Sequence, residues 1–121
     1  MSESMKYKEF WNQKFKEEEK SKKEKIGMLK NLSNSAAHIL ISDFGAKKVY
    51  LFGSILKENV FHKRSDLDFA VEGLDPKKYF SALSKISGIF EGKTEIDIIP
   101  LEDATPKLKE KIIKEGKLLN A

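Results

Sequence analysis

The chain has 121 residues, 40% of them apolar and 35% charged, with a formal net charge of +4, enough for one small, heavily solvated domain. It has no cysteine, which excludes a disulfide framework and any thiolate metal site. No apolar run reaches membrane-spanning or signal-peptide length, so the expected location is the cytoplasm. Lysines interleaved with glutamates read as solvated helix faces, and no specific nucleic-acid partner is expected.

Residues 1–25 differ from the rest and are read as a charged helical extension; residues 26–121 are read as the functional domain. Tyr7, Trp11 and Phe15 recur at i, i+4 and i+8, one face of a helix, and KEEEKSKKEK then carries no apolar residue. Such a stripe either caps the edge of the core or anchors a partner or a second copy of the chain, since aromatic residues are enriched at interface centres. Helix continues over 26–44, where Ile26, Leu29, Leu32, Ala36, Leu40 and Phe44 lie close to one stripe, and Gly45 stops it. His38 in this stretch reads as structural.

Lys47 to Phe52 is the first predicted strand, ending in Gly53-Ser54. A polar loop from Ile55 to Ser65 follows, and Asp66 to Glu72 is the second strand, closed by Gly73. Asp75 and Pro76 are a helix start, capping residue then proline; Tyr79, Phe80, Leu83, Ile86 and Phe90 supply an apolar face read as packing only. Thr94 to Pro100 is the third strand. A last helix begins near Ala104 or Thr105, is packed by Leu108, Ile112 and Ile113, and ends at Gly116.

The chemistry concentrates between Val49 and Val71. Alternation along a strand places Asp66 and Asp68 on one face, with Leu67 and Phe69 on the other. Adjacent carboxylates repel, and a hard divalent cation bound through oxygen is the usual compensation. Glycine admits close backbone approach to a ligand, and Ser54 adds a hydroxyl and an N–H suited to phosphate oxygens. On the third strand Glu95 and Asp97 share a face; if that strand pairs beside the second, Asp97 joins the carboxylates. Each piece alone is ordinary, a turn or a solvated strand end; the combination points to nucleotide chemistry.

Gly53-Ser54, the intervening loop and Asp66-Leu67-Asp68 resemble the signature of nucleotidyltransferases of the DNA polymerase β superfamily, and most closely its minimal nucleotidyltransferase (MNT) group, whose members are often antitoxin partners of HEPN-domain ribonucleases. The resemblance extends to FHKRSDLDFAVEGL, TEIDIIPLEDA and LKEKIIKEGKLL, from about Ile26 onward. Lys57 stands where the group usually has arginine and Glu58 where it usually has glycine. The resemblance implies an α+β fold: a small mixed sheet of three to four strands packed with helices.

It further implies transfer of a nucleoside monophosphate from ATP or another NTP to a hydroxyl, on a tyrosine of a cognate HEPN toxin. Asp66, Asp68 and Asp97 would be catalytic and would hold two Mg²⁺ ions, with Mn²⁺ an alternative. Gly53, Ser54, Lys57 and Ser65 would bind nucleotide phosphates. Two other readings stand beside this one: a catalytically silent module that masks a toxin, and a nucleotidyltransferase acting on a small molecule such as an aminoglycoside. A homo-oligomer formed through the N-terminal helix is also a candidate assembly.

Overall fold

The computed structural model describes residues 3–53, 56 and 66–119, with side chains from residue 8 onward. Among the described residues a four-stranded mixed sheet is flanked unequally by three α-helices. Helix α1 (Glu3–Ser42) is one unbroken rod of 40 residues. It ends where Gly45 takes a left-handed backbone, φ 72°, and Ala46 N–H reaches back to the Leu40 carbonyl at 3.0 Å. Strands β1 (Lys48–Phe52) and β2 (Leu67–Glu72) follow.

A 3-10 turn (Pro76–Lys78) then leads into α2 (Tyr79–Phe90). Asp75 caps that turn, its carboxylate accepting from Lys77 N–H at 3.0 Å. Strand β3 (Ile96–Pro100), a second 3-10 turn (Leu101–Asp103), α3 (Pro106–Glu115) and the two-residue strand β4 (Lys117–Leu118) complete the chain. Thr105 caps α3, accepting from Leu108 N–H at 3.2 Å.

The sheet order is β3-β2-β1-β4. β1 runs antiparallel to both β2 and β4, while β2 and β3 are parallel, joined by the α2 crossover. This is the expected α+β mixed sheet with helices.

The two faces of the sheet are covered differently, and that difference creates the site. On one face Val49, Leu51, Leu67, Phe69, Val71 and Ile98 are buried beneath Leu29, Ala36 and Leu40 of α1 and Ala82, Ile86 and Phe90 of α2. Phe69 and Phe90 meet with ring centroids 6.2 Å apart. The opposite face carries a smaller cluster of Tyr50, Ala70, Leu101 and Ile112, packed against Phe52 and Leu108. Where β2 and β3 begin, Asp66 and Asp97 are exposed and Asp68 is partly buried.

Two packing expectations need correction. Phe80 is 80% exposed and Ile113 50% exposed. Neighbouring helical residues point about 100° apart, so Tyr79 and Ile112 take the inward direction and Phe80 and Ile113 are turned out. His38 is exposed. Among the described residues no helix is long and apolar enough to cross a membrane.

Candidate functional site

The open end of the second sheet face is where the sequence-predicted acids gather. In the parallel β2–β3 register Asp68 stands directly beside Asp97. Residues level with each other on adjacent strands project from the same face, so both carboxylates emerge on the open side, with Asp66 one alternation before Asp68. Asp68 is partly buried; Asp66, Asp97 and Glu95 are exposed. Burial pushes the Asp68 carboxyl above the usual carboxylate range, and the negative charges of Asp97 and then Asp66 push it further the same way. The carboxylates therefore repel one another.

Gly53 borders the same carboxylate. Phe52 is the β1 partner of Asp68 across the antiparallel pair, and the chain turns immediately afterwards with Gly53 at φ 107°. That backbone is open to glycine and strained for any other residue. A β-carbon on Gly53 would also lie 3.1 Å from Asp68 Oδ2. Glycine here satisfies both the turn and the nearness of the carboxylate. Ser54, Lys57 and Ser65, expected at the phosphates, lie outside the described residues, as does Glu58.

Tyr79 belongs to this neighbourhood although its spacing suggested packing alone. Its hydroxyl donates to the Ile98 carbonyl at 2.9 Å. Burial raises its pKa, and the neighbouring Asp97 carboxylate raises it further. Asp97 Oδ1 accepts from Ile98 N–H at 2.9 Å. Asp97 is thus held by the main chain next to it, with the α2 phenol nearby, tied to the Ile98 carbonyl. The signal for this role was the tyrosine itself: a phenol on a packing face requires a polar partner for its hydroxyl.

Among the described residues no three acidic or histidine side chains converge into a ready-made metal cage. The donor set nevertheless suits a hard cation. It offers carboxylate oxygens only, two of them side by side on a solvent-open face, and Mg²⁺ is typically held by one or two carboxylates while retaining waters and substrate phosphate oxygens. Asp66, Asp68 and Asp97 are the residues that would hold it.

Residues 34–121 match the family model described as polymerase beta, nucleotidyltransferase. No curated protein matches the chain. The fold is similar to a chain in the crystal structure of a toxin–antitoxin with AMP-PNP, at 25% identity, TM-score 0.59 and 73% coverage of each chain. It is similar in fold to a candidate minimal nucleotidyltransferase, at 23% identity and TM-score 0.62, covering 75% of this chain and 92% of that one. A chain of the MntA–HepT toxin–antitoxin shares the fold at 20% identity and TM-score 0.50, covering 82% of this chain and 72% of that one.

Proposed function

Because this chain belongs to the polymerase beta nucleotidyltransferase family, we propose that it transfers a nucleoside monophosphate from ATP to a hydroxyl, acting as the antitoxin of a HEPN-domain protein whose tyrosine is the acceptor. The observation that carries the reading is the side-by-side placement of Asp68 and exposed Asp97 next to the Gly53 turn. Similarity to a toxin–antitoxin structure containing AMP-PNP supports the choice of ATP and of a protein partner.

In this reading the chain supplies position and charge. The Gly53 turn, with Ser54, Lys57 and Ser65, receives the β- and γ-phosphates. Asp66 and Asp68 would hold a divalent cation at the triphosphate, and Asp97 with Asp68 would face the acceptor oxygen, with pyrophosphate as the leaving group. The Ile98 N–H keeps Asp97 from swinging away. Bound Mg²⁺ or Mn²⁺ would neutralise the phosphate oxygens and lower the pKa of the acceptor hydroxyl. The acceptor approaches over the open face, opposite the layer built by α1 and α2.

The test is incubation with isotopically labelled ATP, Mg²⁺ and the co-purified partner, followed by intact mass spectrometry of both chains. Mass increases of one or more nucleotide units on the partner, lost with Asp68→Asn, are expected. Tight partner binding with no added mass from the parent chain would overturn the enzymatic reading and leave a masking module.

A further inference from the structure

Helix α1 is much longer than the body it packs on. Among the described side chains the first buried one is Ile26, 2% exposed, and from Lys8 to Ser21 every side chain is exposed. At about 1.5 Å per residue the segment before Ile26 is an arm of roughly 35 Å. Glu18 and Lys22, and Glu19 and Lys23, are four apart with glutamate first, the orientation that stiffens a solvated helix.

The arm and the packed half of α1 share one seam. Lys8, Trp11, Phe15, Glu18, Lys22, Lys25, Leu29, Leu32 and Ala36 follow one another at alternating intervals of three and four residues, the spacing of a coiled-coil contact line. The later part of this line packs on the body. The earlier part carries Phe15 at 62% and Trp11 at 38% exposure, their rings 6.5 Å apart, with Phe10 on the flank at 60%. Lys14 Nζ lies 5.1 Å from the Trp11 ring centre, to one side of the line.

We propose that this arm is a dimerisation element, pairing antiparallel with the arm of a second copy about a two-fold axis near Gln13. Charge decides the direction. A parallel pair would set Lys8 over Lys8 and Glu18 over Glu18. In the antiparallel pair Trp11 meets Phe15 of the second copy, Phe15 meets its Trp11, and Lys8 meets Glu18 at both ends. Four aromatic rings are enclosed between two opposite-charge pairs. The register also fits the molecule sterically: the overlap runs to Lys23 opposite Glu3 and stops before Ile26, so each body clears the other arm. This assembly is independent of the proposed reaction, because the arm lies outside the family match and away from the open sheet face.

The test is sedimentation of the full chain over a concentration series, with charge-swapped variants. The parent is expected to dimerise. Lys8→Glu and Glu18→Lys should each weaken the dimer by about tenfold, since each change places like charges at two sites. The K8E/E18K double variant should return to within about twofold of the parent, because the two pairs re-form with their signs exchanged. Trp11→Ser with Phe15→Ser should be monomeric, its circular dichroism melt showing the body intact. A parent chain that stays monomeric, or a double variant no tighter than the single ones, would overturn the proposal.

Discussion

Asp68 Oδ2 lies 3.1 Å from the point where a β-carbon on Gly53 would stand. The carboxylate and the turn are one device, joined by the β1–β2 ladder. Gly53→Ala is therefore expected to cost about 1–3 kcal/mol from its φ of 107° alone, and to displace the Asp68 side chain as well. Chemical denaturation should report the loss of stability, and nucleotide transfer should fall more steeply than stability does.

Asp68→Asn separates chemistry from folding. Its shape and packing are conserved, whereas a neutral amide is a poorer Mg²⁺ donor than a carboxylate. Transfer is expected to drop by at least about a hundredfold, of the order seen when one preorganised electrostatic group is removed. Partner binding and circular dichroism should be unchanged. Parental transfer rates at saturating metal would show that the pair is ordinary strand decoration.

The same substitution has a pH signature in the metal-free protein. The Asp68 carboxyl is raised in the folded chain by burial and by Asp97 and Asp66. A raised acid binds its proton more tightly folded than unfolded, so stability is fully retained below the ordinary carboxylate range and lost as pH climbs through the higher folded value. In chelator, Asp68→Asn should thus melt higher than the parent at neutral pH. The gap should close on acidification. A gap that widens at low pH would contradict the assigned cause.

Tyr79→Phe removes one hydroxyl from the edge of β3. The Ile98 carbonyl loses its side-chain donor and Asp97 loses a neighbouring hydroxyl. A stability loss of about 1 kcal/mol or less is expected, with transfer reduced less than by Asp97→Asn and ATP affinity unchanged. Titration calorimetry beside the transfer assay checks the split; weakened ATP binding would place the tyrosine on the nucleotide side instead.

Phe80 and Phe90 belong to the same helix and should behave oppositely. Phe90 is fully buried against Phe69, while Phe80 is 80% exposed. Phe90→Ala is expected to cost about 3–5 kcal/mol and Phe80→Ala under about 0.5 kcal/mol, as read by urea denaturation.

The sequence made the motif legible because its information is local. Alternation alone places Asp66 and Asp68 on one face, and Gly45, Asp75 and Thr105 mark helix boundaries through their own backbone chemistry. Whether Asp97 joins the cluster depended on which strand lies beside β2. That pairing is fixed only when α2 carries the chain across and buries Ile86 and Phe90. β4 was not legible, since two residues hold no period. Tyr79 and Phe80 were read alike because apolar spacing does not resolve the 100° between neighbours, nor say where a hydroxyl ends up.

The rim of β3 limits how another chain can attach. Leu67 N–H donates to the Glu95 carbonyl, and alternation in a parallel pair then turns the main-chain groups of Ile96, Ile98 and Pro100 outward. Proline offers no N–H, and both groups of Ile98 are already taken, by Asp97 and Tyr79. An incoming peptide therefore finds no continuous ladder to extend there, and strand addition, a common way for sheets to capture extended segments, is closed along this margin. A peptide docking along this margin must instead be recognised through its side chains.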